Sequence, residues 1–294
     1  MPSEPHAHPR GLALALCAAA LCACRSSVPG SSTREAESQA VGAASVVTVT
    51  ATDYAFDAPQ MVPAGWTTFQ FVNHGTQLHA AQLVRLEDGH TLAEFVTAYE
   101  HAWRTVGPRP RWGIRSGGPG AVEARGSSNA TMYLEPGNYA WYCPMNIEDG
   151  VPHIFSKGMA RPFVVQPRTG AAPQTAPRPT VLIRLSEYAF DPSTPLTAGH
   201  QIIKLENVGT EPHELGIVRL DPGKKLEDFL AWAKDFHGPP PGTVVGGINS
   251  LAPGVAGYFE IDLIPGEYVL LCFVTAPDGR PHVDHGMIQG VAVS

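Results

Sequence analysis

Four side chains able to bind a soft metal ion, His, Cys, His and Met, occur twice in this chain in the same order and at nearly the same spacing. They are His79, Cys143, His153 and Met159 in the first half and His213, Cys272, His282 and Met287 in the second, separated by offsets of 134, 129, 129 and 128 residues. Two imidazoles, a thiolate and a weak thioether suit a copper ion that cycles between two oxidation states, because soft sulfur and borderline nitrogen donors serve both. The chemistry expected is therefore copper binding with one-electron transfer, at one copper per repeat.

The repeat extends beyond the four donors. Tyr54-Ala55-Phe56-Asp57 recurs as Tyr188-Ala189-Phe190-Asp191, Asn73 as Asn207, and Val84-Arg85-Leu86 as Val218-Arg219-Leu220, all at offset 134. From Gly117-Gly118 and Gly246-Gly247 through Pro136-Gly137 and Pro265-Gly266 the offset is 129, which places a five-residue gap near 101–116, away from the donors. A period of this length, present twice, indicates two copies of one domain, since solenoid repeats run to ~20–50 residues.

The chain has 294 residues, 44% of them hydrophobic and 16% charged, with 30 Gly and 28 Pro. This is the composition of turn-rich β structure, and each half is large enough to hold its own core. The net charge of −7 argues against nucleic acid as a partner, since phosphate binding needs a basic surface.

The first 23 residues read as an export signal. An apolar run from Gly11 to Ala23 follows Arg10, and it is shorter than the ~20 residues that span a bilayer. It ends in Leu21-Cys22-Ala23-Cys24, which resembles the bacterial lipobox and implies a lipid on Cys24; the alternative is an ordinary cleaved signal peptide. The expected product is a periplasmic or cell-surface lipoprotein anchored to the membrane through its amino-terminal lipid. Once the signal is removed and Cys24 capped, the remaining cysteines are Cys143 and Cys272. Export makes a disulfide the ordinary reading of such a pair. Equivalent interior positions of two domains would then have to meet, so a ligand role explains them more economically.

Period-two alternation marks strands at Val47 to Thr52, Phe69 to Phe71 and Ile203 to Glu206. Helical spacing appears once per repeat, at Leu92, Phe95, Val96, Tyr99 and Trp103, and at Leu226, Phe229, Leu230 and Ala233. These readings divide the chain into a signal (1–23), a lipidated cysteine and tether (24–44), a first domain (45–166), a linker (167–179) and a second domain (180–294).

The segments Asn73 to His79 and Asn207 to His213, with the strands Gly137 to Cys143 and Gly266 to Cys272, resemble the cupredoxins, the family of plastocyanin and azurin. The resemblance covers Val46 to Val165 and Thr180 to Val293. It implies an all-β chain of two Greek-key β-sandwiches in tandem, each with one inserted helix. One ligand would come from a distant strand and three from one loop, so the scaffold fixes the geometry before the metal arrives. Nine residues separate Cys from His in both copies, where small electron carriers of the family have only a few. His285 competes with His282 as a ligand, and Met145 competes with Met159.

Related tandem enzymes add a second kind of copper through a His beside the Cys and through His-X-His pairs. Here Tyr142 and Pro144 flank Cys143, Leu271 and Phe273 flank Cys272, and the only His-X-His is His6-Ala7-His8 in the signal. The expectation is a non-enzymatic copper protein serving an unidentified redox partner. A metal-free binding module presenting Trp66, Trp112, Trp141 and Trp232, and a copper store, are the alternatives.

Overall fold

The computed structural model describes residues 42–87, 89–146, 150–170 and 174–294. The signal and the lipobox, with Cys24, lie outside the described residues, as do the middles of the first ligand loop and of the linker.

The described residues are mostly β-strands with a few short helices, built as two β-sandwiches in tandem. One eight-stranded sheet runs through both. Its first half consists of Ser127–Leu134, Gly65–Asn73, Ser45–Thr52 and Ala55–Asp57, and its second half repeats that order with Ala256–Leu263, Gly199–Asn207, Val181–Ser186 and Ala189–Pro192. Ser45–Thr52 lies parallel to Gly65–Asn73, and Val181–Ser186 parallel to Gly199–Asn207, the crossed pairing of Greek-key connections. The halves join where Met132 pairs with Gly257 and Thr131 with Tyr258.

Each half of this sheet is closed by a sheet of its own. In the first sandwich these strands are Met61–Pro63, Ala160–Gln166, Gly137–Tyr142, Gln82–Leu86 and Gly113–Arg115. In the second they are Gly242–Leu251, His213–Leu220, Gly266–Leu271 and Ile288–Val293. Alternation sends Val49, Phe69, Phe71 and Trp141 inward in the first sandwich and Ile183, Ile203, Leu205 and Phe259 in the second, all at most 2% exposed. Trp141, one of the tryptophans considered for a binding surface, packs edge-on to Phe69 at 4.7 Å and is core.

Helix α1 (Leu92–Thr105) starts at a capping box in which Glu94 N–H donates to Thr91 Oγ1 and Thr91 N–H to Glu94 Oε2. It docks Phe95 and Tyr99 on Val84, Leu86, Ala140 and Tyr142, outside the first sandwich. A one-turn helix, α2 (His153–Ser156), opens the segment after the first ligand loop. Helix α3 (Leu226–Trp232) is the counterpart of α1 and buries Phe229, while Leu230, expected on the docking face, is 41% exposed. The five-residue gap between the repeats falls where the 14-residue α1 is replaced by the 7-residue α3.

The Gly-Gly pairs of the repeat meet at the junction. Gly120 N–H donates to Gly247 O and Asn249 N–H to Gly118 O, both at 3.0 Å. A Cβ at Gly120 would lie 2.9 Å from the carbonyl carbon and oxygen of Gly247, so only glycine lets these backbones approach. Gln82 Nε2 crosses the same junction to Ser250 O at 2.9 Å.

Candidate metal centres

In the first sandwich, strand ends bring three donors together. His79 sits six residues past the Asn73 strand end, held by a two-way backbone pair with Val122 (3.2 and 3.0 Å). Cys143 follows the strand Gly137–Tyr142, His153 opens α2, and Met159 precedes the strand Ala160–Gln166. Cys143 Sγ lies 3.7 Å from His79 Nδ1 and 3.5 Å from His153 Nδ1. His79, Cys143 and His153 are each at most 1% exposed.

Backbone hydrogen bonds tie the long ligand loop together. Cys143 N–H donates to Met159 O (3.1 Å), Ile154 N–H to Cys143 O (3.0 Å), and Met159 N–H to His153 O (3.0 Å). The nine-residue excursion therefore closes on itself, and its length does not loosen the three positions that matter.

The second sandwich repeats the arrangement. His213 begins the strand His213–Leu220, Cys272 follows Gly266–Leu271, His282 opens a 3₁₀ turn (His282–His285), and Met287 precedes Ile288–Val293. Cys272 Sγ is 3.4 Å from His282 Nδ1, and His213 Nδ1 is 3.0 Å from His282 Nδ1. The same ties recur: Cys272 N–H to Met287 O (3.2 Å), Val283 N–H to Cys272 O (3.0 Å) and Met287 N–H to His282 O (2.9 Å). Among the described residues these two trios are the groups of His, Cys, Asp and Glu that could hold a metal ion, each with its ligating atoms within 4.8 Å of one another.

Met159 and Met287 are fully buried in the same core as Cys143 and Cys272. Met145 is partly buried against that core, and its carbonyl accepts from His153 N–H at 2.7 Å. His285 is outside the second trio. Its Nε2 lies 3.2 Å from Asp278 and its ring stacks on Tyr188 at 4.6 Å. Both cysteines are free, so the disulfide alternative does not arise.

The ionisation of these groups fits a soft cation. Burial, and then the neighbouring imidazole of His282, lowers the pKa of His213 to about 4. Burial, and then His285, does the same to His282. Both rings are therefore neutral at physiological pH, with lone pairs available to a metal. Burial pushes the Cys143 thiol up to about 12 and, aided by Glu214, raises that of Cys272 as well. A thiol buried this way ionises only when a cation replaces its proton. Two nitrogens and a sulfur converging on one dry point, with a buried thioether residue beside them, match the donor preferences of copper.

Several supporting residues were not identified from sequence. Asp53 Oδ1 lies 2.7 Å from His79 Nε2, and its carboxylate also takes Thr76 N–H (2.9 Å) and Thr76 Oγ1 (2.7 Å). The bond to His79, followed by those to Thr76, holds the Asp53 pKa down to about 2. Glu187 is its counterpart, 3.9 Å from His213 Nε2, and its pKa is held down to about 2 by the bonds it takes from Thr210 N–H, and then by its own N–H, Thr210 Oγ1 and Glu211 N–H. Gly75 and Gly209 leave room for these pairs, since a Cβ would press on His79 Nε2 at 2.9 Å or on His213 Nε2 at 3.0 Å. Asn73 and Asn207 brace the turn: the Oδ1 of each accepts from that glycine, and the Nδ2 donates to the Gln77 or Glu211 carbonyl. Asp53 and Glu187 are both acidic at offset 134, which was the signal available to find them.

No family model and no curated protein matches the sequence. Solved structures similar to the chain include a dithionite-reduced auracyanin from the photosynthetic bacterium Roseiflexus castenholzii, at 21% identity over 43% of this chain and all of that one, with TM-score 0.29. The blue copper protein auracyanin A from Chloroflexus aurantiacus is 19% identical over 41% of this chain and 99% of its own, with TM-score 0.29. A blue copper oxidase from Nitrosomonas europaea is 14% identical over 86% of each chain, with TM-score 0.25.

Proposed function

We propose that this chain is an exported one-electron carrier with a type 1-like copper in each sandwich, held by His79, Cys143, His153 and Met159 and by His213, Cys272, His282 and Met287. The observation that carries the reading is the pair of equally tied, solvent-excluded Cys-His-His trios. Bound copper would supply a one-electron couple. The protein's part is to present two neutral imidazoles and a thiolate in a fixed arrangement, to orient the His79 imidazole through Asp53 and the His282 imidazole through Glu211, and to keep water from the metal. Little would have to move between oxidation states, which favours rapid electron exchange.

The enzyme reading is weaker because neither Cys143 nor Cys272 has an adjacent His to lead to a second copper, and no further cluster of ligating side chains occurs among the described residues. Export rests on the apolar run Gly11 to Ala23, and a lipid on Cys24 rests on the Leu21 to Cys24 resemblance. No described helix is long and apolar enough to cross a membrane.

The test is copper titration of the chain without its signal, read by visible absorption and electron paramagnetic resonance, on wild type and on Cys143→Ser and Cys272→Ser. Two coppers with an intense thiolate band, half of it lost in each variant, is the expected result. Copper content and colour unchanged in the double variant would refute the ligand assignment.

A further inference from the structure

The two sites share their donors, but the charges around them differ. Beside the first trio stand Asp53, on His79 Nε2, and Lys157, whose Nζ lies 4.9 Å from the centre of the Tyr54 ring. That ring packs edge-on to both His79 (5.9 Å) and His153 (5.0 Å), so the ammonium sits just behind the site.

Around the second trio stand three carboxylates. Glu187 faces His213 Nε2 at 3.9 Å. Glu211 Oε2 bonds His282 Nε2 at 3.1 Å, directly on a ligand ring. The backbone N–H of Glu214 donates to Cys272 Sγ at 3.4 Å, and its carboxylate accepts Phe273 N–H at 2.8 Å. At the positions equivalent to Glu211 and Glu214 the first repeat has the uncharged Gln77 and Ala80. The position of Lys157 is taken by His285, which is paired with Asp278. Buried Arg115, reaching from the first sandwich to Ser250 Oγ at 3.2 Å, and Arg109 bring positive charge to His282 and offset part of these carboxylates.

Each trio has its buried Met. The carboxylate near the first His differs in reach: Asp53 is hydrogen-bonded to His79 Nε2 at 2.7 Å, whereas Glu187 stands 3.9 Å from His213 Nε2, which has no hydrogen-bond partner among the described residues. Each site thus has one carboxylate bonded to a ligand ring, Asp53 in the first and Glu211 in the second, and the second adds Glu187 and Glu214 near its trio.

Resting on the copper reading above, we infer that the second site has the lower reduction potential, with Glu211 as the residue that sets it, so that an electron entering the chain settles on the first site. Oxidised copper carries one more positive charge than reduced copper. Nearby carboxylates in a poorly solvated pocket stabilise the oxidised ion, while Lys157 favours the reduced ion of the first site. The carrier is thus directional, with His213–Cys272–His282 as donor and His79–Cys143–His153 as acceptor.

The experiment is a redox titration of copper-loaded Cys143→Ser and Cys272→Ser, which isolate the second and first sites, repeated with Glu211→Gln and Gln77→Glu in the matching background. The second site should favour oxidation over the first by at least tenfold, a gap of about 59 mV for one electron. Glu211→Gln should raise the second potential and Gln77→Glu should lower the first, each closing part of the gap. Equal or reversed midpoints in two copper-loaded sites would overturn the direction, and a second-site midpoint unmoved by Glu211→Gln would overturn the role of Glu211. Absence of a copper–thiolate band would instead overturn the copper reading, and this inference with it.

Discussion

Removing the charge of Asp53 should weaken copper binding at the first site and leave the second untouched. The carboxylate is the partner of His79 Nε2 at 2.7 Å and thereby directs Nδ1 of that ring toward Cys143 Sγ. A hydrogen bond to a charged group contributes about 1.5–3 kcal/mol. The Asp53 side chain is 26% exposed, so water discounts the figure toward the lower end. About 1.5 kcal/mol corresponds to roughly tenfold in affinity, at the low end of the ~10–100-fold seen when outer partners of metal-bound histidines are lost. Asp53→Asn keeps the shape and some of the bonds to Thr76, and should weaken binding about tenfold. Asp53→Ala also frees the Thr76 turn and should approach about a hundredfold. The assay is competition against a chelator, followed through the thiolate band in the Cys272→Ser background, with Cys143→Ser as the control for the second site. Unchanged first-site affinity in Asp53→Ala would refute the claim that this carboxylate orients the ligand.

Gly75→Ala and Gly209→Ala should each reproduce much of that loss at their own site while the far-ultraviolet circular dichroism stays native, because the new methyl pushes on the imidazole Nε2 and not on the sheets. Copper binding should release about one proton per site from the thiol, so affinity should fall about tenfold per pH unit between about pH 8 and about pH 6. The sign follows from a thiol pKa near 12 at Cys143, which keeps it protonated throughout that range. His213 and His282, with pKa values about 4, add to the slope only below about pH 5; proton uptake in place of release, measured in weak buffer, would contradict this. Arg115→Met should destabilise the chain by about 1–3 kcal/mol in denaturant unfolding, because it removes the buried bond to Ser250 Oγ and the guanidinium over the Tyr99 ring.

The donors were legible because the chain states them twice. His282 and His285 are equally good histidines in one copy, and the alignment with His153 pointed to His282, the ring found beside Cys272. Asp53 and Glu187 were equally visible as a repeated acid, but nothing local ties them to a histidine 26 residues further on; their role exists only once the strands bring the two turns together. The one-turn helices opening at His153 and His282 were read only as loop. Their backbone ties to Cys143 and Cys272 join residues 11 apart, Ile154 to Cys143 and Val283 to Cys272, without periodicity, the kind of signal that hydrophobic patterning does not carry. Leu230 kept helical spacing yet faces water, because α3 is half the length of α1 and covers less of its sheet.

The joining of the sandwiches was the least legible feature, and it bears most on the directional reading. Ser127–Leu134 and Ala256–Leu263 look like any half-buried strands, and nothing in either says that its free edge meets the other. Together with Gly117 to Gly120 laid along Gly247 to Leu251, and Gln82 bonded across to Ser250, that pairing ties the halves by backbone hydrogen bonds instead of a flexible tether. Electron exchange between the trios would then occur across one constant geometry, with no reorientation of domains to gate it. Under that condition the direction of transfer is decided by the potentials alone. A repeat that keeps each His, Cys and Met while placing Glu211 where the first half has Gln77 and Glu214 where it has Ala80 would, on that reading, change the potential without disturbing the fold.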